Sequence, residues 1–220
     1  MARMKFFVDT NRCISCFGCQ VACSSAHELP VGIYRRKVIT LHDGIEGKEV
    51  STTIACQHCT DAPCEQVCPV DCFYIRADGI VLHDKHKCIG CGYCLYACPF
   101  GAPQFPKDGA FGVKGVMDKC TMCAGGPEPT NSHEERELYG QNRMAEGKVP
   151  MCAAICSTNA LLVGDAAEVS NVYRKRVMLR NTGLNVYTKE GACSPFKFIK
   201  FSKKTIFVSF IYRLEIINLS

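Results

Sequence analysis

The sequence contains no long apolar run. No stretch approaches the roughly 18 apolar residues of a membrane-spanning helix. The opening "MARMKFFVDT" places only three apolar residues together before Asp9, fewer than the apolar segment of a secretory signal contains. We therefore expect no membrane span and no export signal on this chain. Cysteines in such chains are more often metal ligands than disulfides, and this chain has 18 of them in 220 residues.

The chain also lacks a strong excess of charge of one sign. Its formal charge of +5 would by itself suggest an anionic partner such as nucleic acid. That value counts every thiol as neutral. Sixteen thiolates around four oxidised clusters, each with a core charge of about +2, would change it to about −3. The composition therefore gives no argument for a nucleic-acid partner.

What the sequence has instead is cysteine in four groups. The last two cysteines of every group are four residues apart, and the fourth group is split by a gap of 28 residues. Only Cys72 and Cys193 lie outside the groups. The groups are Cys13, Cys16, Cys19 and Cys23; Cys56, Cys59, Cys64 and Cys68; Cys88, Cys91, Cys94 and Cys98; and Cys120, Cys123, Cys152 and Cys156.

This spacing is typical of iron–sulfur cubanes. Cysteines at i, i+3 and i+6 present three thiolates to one cubane, and the cysteine four residues later serves the neighbouring cluster, as in two-cluster ferredoxins. Zinc sites use pairs of cysteines that complete a tetrahedron, and a zinc site would not explain the cysteine four residues after the third. Zinc and disulfides are therefore the weaker alternatives. The sequence predicts four [4Fe-4S] clusters.

The order of the groups predicts a nested arrangement. Groups two and three are close enough to exchange their fourth ligands as a two-cluster ferredoxin unit over residues 50–105. Groups one and four then form a second unit from residues 1–49 and 106–183. The predicted fold class is α+β: two bacterial-ferredoxin-like units, one inserted in the other, loop-rich, with short strands and helices. Residues 184–220 form an atypical basic and apolar tail.

Regular structure is expected to be sparse. "KFFVD", "RKVITLH" and "VSTTIAC" read as strands, and "FYIRADGIVLHD" as a hairpin with Asp78 and Gly79 at its turn. Short helices should follow the third cysteine of each group. "GDAAEVSNVYRKRV" predicts a helix with Asp165 as its cap and Glu168 closing a capping box. Its inward-facing residues would be Val169, Val172 and Tyr173.

Two segments have more than one reading. The polar, turn-rich residues 125–150 are expected to form a solvated insertion loop, with a docking surface for another subunit as the alternative. In the tail, the apolar run "TIFVSFIY" is too short to span a membrane. We expect an unrelated extension there; a segment that rests on a membrane surface or packs on a subunit is the alternative.

No residue pattern indicates catalysis. A cubane with four protein thiolates has no open coordination site, so it handles electrons and not substrates. A body of this length has a diameter of about 44 Å, which places four clusters in a row at about 11 Å spacing. The histidines show no ligand spacing, and we expect most of them at the surface or in loops. His58, inside group two, could instead hydrogen-bond near a cluster and tune it. Cys72 is expected to be a small buried hydrophobe.

The motifs resemble a known family. A second group of the form "CxHCxxxPCxxxCP", together with "CPVDCFYIRADGIVLHD", "CIGCGYCLYACPFGAPQFP", "MDKCTMCAGGP" and "YGQNRMAEGKVPMCAAICSTNALLVGD", is similar to the iron–sulfur subunits of molybdenum and tungsten pterin oxidoreductases. Within that family, residues 1–183 look most like the beta subunits of respiratory formate dehydrogenases. The resemblance implies an electron-transfer subunit that is not catalytic alone.

The resemblance also implies which cysteines share a cluster. We name the four implied ligand sets the first, second, third and fourth tetrads. The first tetrad is Cys13, Cys16, Cys19 and Cys156; the second is Cys23, Cys120, Cys123 and Cys152; the third is Cys56, Cys59, Cys64 and Cys98; and the fourth is Cys68, Cys88, Cys91 and Cys94.

The family further implies partners and a location. A large catalytic subunit with a molybdenum- or tungsten-bis-pterin group would supply electrons, and a membrane cytochrome b subunit with quinone, or a soluble carrier, would accept them. No small-molecule substrate would contact this chain. Export together with the catalytic subunit would place it in the periplasm, at the inner membrane; a cytoplasmic location is the alternative. The other functional readings are a subunit for polysulfide, thiosulfate, dimethyl sulfoxide or arsenate, and a freestanding polyferredoxin.

Overall fold

The computed structural model describes residues 3–106, 114–127 and 132–181. It shows a small mixed α/β fold of short strands and helices. A 3-10 turn spans Thr10–Arg12. The strands and helices are β1 (Met4–Val8), α1 (Gly18–Ala26), β2 (Arg36–Leu41), β3 (Val50–Ala55), α2 (Pro63–Gln66), β4 (Phe73–Ile75), β5 (Val81–His83), α3 (Tyr93–Ala97), α4 (His133–Tyr139), α5 (Met151–Ala154), β6 (Leu161–Asp165) and α6 (Ala166–Asn181).

The strands form three separate antiparallel pairs: β2 with β3, β4 with β5, and β1 with β6. In the last of these, Met4 lies opposite Asp165 and Val8 opposite Leu161. This pair brings the start of the chain alongside the segment that follows the last cysteine group. Met4 also donates its backbone N–H to Asp78 O at 2.8 Å, which ties β1 to the hairpin of β4 and β5.

The predicted strands and the predicted hairpin are confirmed. β1, β2 and β3 occupy the three apolar, β-branched segments. The hairpin turn closes where Arg76 N donates to Ile80 O, and Gly79 adopts a left-handed φ of +78°. That conformation is accessible to glycine without a steric cost, which explains its place at the turn.

The predicted helix after the last strand is also confirmed. Asp165 Oδ1 accepts from Ala167 N at 2.9 Å and caps α6. Val169 is buried, and the Tyr173 ring lies 4.4 Å from that of Phe7 on β1. Arg176 and Arg180, further along the helix, both reach the buried carboxylate of Asp9. The helix is therefore fixed to the start of the chain along its length.

The short helices begin before the third cysteine of each group, whereas the sequence predicted that they follow it. In each group the helix starts just before the third cysteine, so that this cysteine occupies the first turn. The residues that begin the helices are Gly18, Pro63, Tyr93 and Met151.

The prediction of a solvated loop over 125–150 is wrong for the described part of that segment. Ser132 Oγ accepts from Glu135 N and caps α4. Glu135 Oε1 accepts from Gly126 N, and Tyr139 is only 3% exposed. Glu135 and Tyr139 therefore face the interior, whereas the other charged side chains of α4 are exposed. The predicted tail and Cys193 lie outside the described residues.

The core is built around cysteine. Of the four buried apolar patches in the described ranges, three contain predicted ligand cysteines. The remaining patch packs Met4, Ile80, Leu82, Met122 and Val163 between β1, β5 and β6. Among the helices described, none is long and apolar enough to cross a membrane.

Candidate iron–sulfur centres

All four cysteine groups share one backbone feature. The residue before the second cysteine has a left-handed φ in each: +54° at Ser15, +46° at His58, +70° at Gly90 and +58° at Met122. Only one of the four is glycine, so the conformation is imposed by the loop and not by the residue. Turns of this kind point successive backbone N–H groups into one concavity, as at many iron–sulfur sites.

Backbone amides donate to several predicted ligand sulfurs. The bonds around Cys68 and Cys98 are equivalent, because each sulfur accepts from the amide four residues later, past a proline. Amide donors to sulfur stabilise thiolates and tune cluster potentials. The bonds are Cys72 N to Cys68 Sγ at 3.3 Å, Ala102 N to Cys98 Sγ at 3.5 Å, Met117 N to Cys88 Sγ at 3.3 Å, and Met122 N to Cys120 Sγ at 3.4 Å.

The third tetrad lines a partly open cavity of about 360 Å³, a volume that includes the solvent space at its mouth. The wall is completed by apolar residues such as Ala62 and Pro103, and by one charged residue, Lys119. Burial raises the pKa of Cys64 to about 11, and Cys56, Cys98 and Cys59 are among the groups that act on it. The four cysteines that line this cavity are Cys56, Cys59, Cys64 and Cys98.

The fourth tetrad lines a second partly open cavity, of about 300 Å³ with the solvent space at its mouth included. Its walls include Val70, Phe73, Phe105 and Met117. The lining cysteines are the four of the tetrad, Cys68, Cys88, Cys91 and Cys94, and one more, Cys72.

Cys72 differs from the tetrad in its hydrogen bonds. Its Sγ donates to Asp84 O at 3.0 Å, whereas Cys68 Sγ accepts from an amide. A hydrogen bond with Cys88 and burial raise the pKa of Cys72. Cys72 therefore remains a thiol, and it is buried, as the sequence predicted.

The second tetrad lies deepest in the fold. Its four cysteines are all at most 7% exposed: Cys23, Cys120, Cys123 and Cys152. Burial raises the pKa of Cys120 to about 12 and that of Cys123 to about 11. Without metal these groups are thiols, and iron binding must displace their protons.

The structure brings together part of the first tetrad. Cys19 and Cys156 pack on the patch formed by Cys23, Cys152 and Leu161, where α1 meets α5. The other two members, Cys13 and Cys16, lie on the loop that leads into α1, and Cys16 is exposed. Their membership of the tetrad stays a prediction.

The buried patches also give the tetrads an order. One patch joins Cys19 and Cys156 to members of the second tetrad. Cys120 and Cys56 share another patch, so the second tetrad adjoins the third. A third patch holds Cys64 and Cys94, which belong to the third and fourth tetrads. The four sets therefore follow one another from first to fourth.

The donor chemistry of these sites fits iron–sulfur clusters. The described cysteines are all free thiols, and thiolates favour zinc, copper(I) and iron–sulfur clusters. In residues 3–106, 114–127 and 132–181, no three Cys, His, Asp or Glu side chains converge on a single-ion site. The thiols surround cavities large enough for more than one atom.

Sequence reasoning missed the buried histidines. His58 and His83 are fully buried; His58 lies in a loop, as expected of most of the histidines, whereas His83 lies on β5. His58 Nδ1 accepts from Val81 N, so this nitrogen is occupied by backbone rather than by a ligand sulfur. Burial lowers the pKa of both well below the usual range, and they are neutral.

His27 is the histidine closest to a predicted ligand. Its Nε2 lies 3.5 Å from Cys123 Sγ in the second tetrad. Burial lowers the pKa of His27 to about 3, so the ring is neutral. No spacing in the sequence pointed to this contact, because 96 residues separate the two.

Sequence reasoning also missed the buried cations. Arg35 pairs with Asp118 through two bonds of 2.6 and 2.7 Å, and Lys85 reaches the same carboxylate at 2.8 Å. Arg36 and Lys119 are buried as well, at 2% and 1% exposure. Their identity as core residues depends on packing that the sequence does not display.

A family model described as a 4Fe-4S dicluster domain matches residues 49–133. That range contains groups two and three and the first half of group four.

Comparison with curated proteins finds relatives over most of the sequence. The formate dehydrogenase iron–sulfur subunit of Wolinella succinogenes is 69% identical over 182 residues, which cover 83% of this chain and 91% of that protein. The thiosulfate reductase electron transfer subunit of Salmonella typhi is 32% identical, covering 83% and 90%. A polypeptide of the anaerobic dimethyl sulfoxide reductase of Escherichia coli is 33% identical, covering 74% of each.

Proposed function

The protein belongs to the family of iron–sulfur subunits that includes those of formate dehydrogenase and dimethyl sulfoxide reductase, and from this premise we propose that it carries four [4Fe-4S] clusters. It is an electron-transfer subunit of an oxidoreductase complex and is not catalytic on its own. The four left-handed turns, one in each cysteine group, support the number four, since each group has the same local loop.

The proposed ligands are the four tetrads. The observation that carries this assignment is that eight of the predicted ligands line two cavities in the two predicted sets of four. All of Cys23, Cys120, Cys123 and Cys152 are buried, and the last three act electrostatically on the Cys23 thiol, which supports the second tetrad. For the first tetrad the support is the packing of Cys19 against Cys156 and the shared loop spacing.

The proposed architecture is the nested pair of two-cluster units. The pairing of β1 with β6 supports it, because it joins residues from both ends of the outer unit. Packing of α1 on α5, and of α2 on α3, gives each unit one equivalent pair of helices that carry the third cysteines. The proposed units are 50–105 for the inner and 1–49 plus 106–183 for the outer, with 184–220 as the tail.

A bound cubane with four thiolate ligands supplies one-electron transfer and leaves no site open for a substrate. The residues of this chain do the rest. The tetrads hold the irons, the backbone amides donate to the sulfurs, and the apolar walls exclude water. Because the tetrads follow one another through the fold, electrons can enter at one end of the row and leave at the other.

The proposed partner is a large catalytic subunit with a molybdenum- or tungsten-bis-pterin group, which oxidises formate. The similarity to the Wolinella succinogenes subunit supports formate. Electrons would pass to a cytochrome b subunit and quinone, or to a soluble carrier. We place the complex in the periplasm, at the inner membrane, by export together with the catalytic subunit.

Iron content tests the four clusters. In the complex purified without oxygen, the full chain should contribute about sixteen irons, counted after the iron held by the partner subunits is subtracted. Replacing Cys91 by Ala should remove about four of them, because the fourth tetrad would lose a ligand. Substantially fewer irons in intact wild-type protein would overturn the proposal.

Viologen assays of the same complex test the partner. Formate should reduce an oxidised viologen, with the electrons leaving through this chain. The similarity to thiosulfate and dimethyl sulfoxide reductase subunits favours a second candidate, a complex that reduces a sulfur compound. In that case reduced viologen would be oxidised by thiosulfate or dimethyl sulfoxide, and formate would have no effect. A lone holo-monomer without a large partner would indicate a freestanding polyferredoxin.

A further inference from the structure

Three cations are buried among the tetrads: Arg35, Arg36 and Lys119. Arg35 is compensated by Asp118, which also bonds Lys85. In the part of the chain that the structure describes, neither Arg36 nor Lys119 forms an ion pair with a carboxylate. Two positive charges in the interior therefore have no acidic side chain to offset them.

Lys119 is bound as an ammonium. Its Nζ has three acceptors, which matches the three donors of a protonated lysine. They are Val81 O at 2.5 Å, Cys120 O at 3.2 Å and Cys56 Sγ at 3.9 Å. The side chain also lines the cavity of the third tetrad. Its charge therefore lies where the second tetrad adjoins the third.

Arg36 occupies the equivalent position between the first and second tetrads. Its Nη1 donates to Thr53 Oγ1 at 3.4 Å, and that hydroxyl lies 3.6 Å from Cys19 Sγ. The guanidinium lies 4.3 Å from the ring centroid of Phe6. The side chain also hydrogen-bonds Cys152 of the second tetrad, and no further partner among the described residues reaches its buried Nε and Nη2.

The sulfurs around Arg36 are its only source of negative charge in the described structure. Burial acts to lower the pKa of Arg36, but Cys152, Cys120 and Cys19 together raise it by more. Sulfurs that bind iron as thiolates would supply that charge. The guanidinium would therefore have its counter-charge when iron occupies the tetrads.

A buried charge without a partner is strongly unfavourable. A cubane held by four thiolates carries a net charge of about −2 when oxidised and about −3 when reduced. We propose that Lys119 and Arg36 are the counter-charges of the bound clusters and raise the reduction potentials of the clusters beside them. This inference rests on the proposed function.

The direction follows from electrostatics. A nearby positive charge stabilises the more negative, reduced form, so it raises the potential. Lys119 acts most on the third tetrad, because its sulfur contact is Cys56. Arg36 acts on the first and second tetrads, whose sulfurs surround it. The two residues should therefore affect different clusters.

The test is a redox titration of the clusters, followed by electron paramagnetic resonance on the complex purified without oxygen. Lys119→Met and Lys119→Gln should each lower the midpoint potential of at least one cluster, and Arg36→Met should lower that of a different one. Lys119→Arg and Arg36→Lys, which keep the charge, should retain potentials near those of the wild type. The matched control is Lys37→Met. Lys37 is next to Arg36 on β2 but is exposed, so every potential should stay unchanged.

Each outcome decides the inference. Unchanged potentials in Lys119→Met and Arg36→Met, with full iron content, would overturn it and leave the proposed function intact. If Lys119→Gln keeps the wild-type midpoint potential while Lys119→Met lowers it, the shift comes from a lost hydrogen bond. That result would overturn the role of charge. If both neutral Lys119 variants lose iron while Lys119→Arg retains it, the need for a positive charge is supported. Loss of iron in all three Lys119 variants, including Lys119→Arg, would overturn the need for a positive charge. Low iron in the wild type would refute the proposed function instead.

Discussion

The hydrogen bonds of Cys72 distinguish it from the predicted ligand cysteines around it. It lines the same cavity as the fourth tetrad, yet its sulfur donates a hydrogen bond where that of Cys68 accepts one. Its counterpart in the other Cys-Pro turn is Ala102, whose amide makes the same bond to Cys98. An alanine therefore already occupies the equivalent position in this fold.

We expect Cys72→Ala to keep the full iron content, at a stability cost of about 1 kcal/mol for the lost hydrogen bond to Asp84. Cys68→Ala should lose about four irons, since it removes a ligand of one cubane. Iron per chain and the absorbance near 400 nm would measure both. A loss of iron in Cys72→Ala equal to that in Cys68→Ala would identify Cys72 as the ligand.

Asp118 is the buried carboxylate that pairs with both Arg35 and Lys85. Burial alone would raise its pKa, but Arg35 and then Lys85 lower it well below its usual range. It therefore remains a carboxylate inside the protein, and through Arg35 it joins the residue that precedes β2 to the segment before Cys120.

Replacing Asp118 by Asn should reduce the free energy of unfolding by about 3–5 kcal/mol, because it leaves a buried arginine without its counter-charge. Asp78→Asn is the matched control. Asp78 pairs with Arg76 at a partly exposed turn, so its loss should cost about 1 kcal/mol or less. The midpoints of urea unfolding under anaerobic conditions would compare them. Equal shifts would contradict the role assigned to Asp118.

At the scale of the structural element, the repeated unit is the loop between the first and second cysteines. Its left-handed residue is Ser15 in group one and Gly90 in group three. The two positions differ in their surroundings. A Cβ atom added at Gly90 would lie 2.5 Å from the backbone O of Gly115, which cannot move as a flexible side chain could.

We expect Gly90→Ala to be destabilising by about 1–3 kcal/mol from the left-handed backbone alone, and by more because of the clash with Gly115. Ser15→Ala, at the equivalent position, should change stability by about 0.5 kcal/mol or less, because a Cβ is already present there. Urea unfolding followed near 400 nm would measure cluster loss in both. A tolerated Gly90→Ala would show that the loop can move away from Gly115.

At the scale of the whole molecule, the fold depends on its clusters. In the part of the chain that the structure describes, the strands occur in pairs, and three of the four buried apolar patches include predicted ligand cysteines. Two-stranded sheets are marginal by themselves, and metal binding in such domains supplies folding free energy. The pockets lined by the third and fourth tetrads would be left unfilled without the clusters.

Removing iron with a chelator under anaerobic conditions should therefore leave a largely disordered polypeptide. We expect loss of near-ultraviolet circular dichroism and of a cooperative unfolding transition. Reconstitution with iron and sulfide should restore both. An apo-protein that still unfolds cooperatively would show that the patch around Ile80 and Leu82, together with the strand pairs, is enough to fold the chain.

Much of the local structure could be read from the sequence. The apolar, β-branched runs became β1, β2 and β3, and Asp165 capped α6, because short-range propensity and capping decide these features. The membership of the third and fourth tetrads was implied by the family resemblance and stays a prediction; the four cysteines of each set line one pocket, and Cys72 also lines the pocket of the fourth. The segment 125–150 could not be read in the same way. Its polar residues bond inward to distant backbone, which composition does not show.

By itself, the sequence determined the cofactor chemistry, since sulfur at fixed spacings can serve few other purposes. Only the tertiary structure decided which charges face those sulfurs. Lys119 and Arg36 look like ordinary surface cations in the sequence, and His27 lies 96 residues from the cysteine it approaches. The physical reason is that ligand spacing is a local property of the polypeptide, whereas burial and electrostatics arise from segments that meet only in the folded molecule.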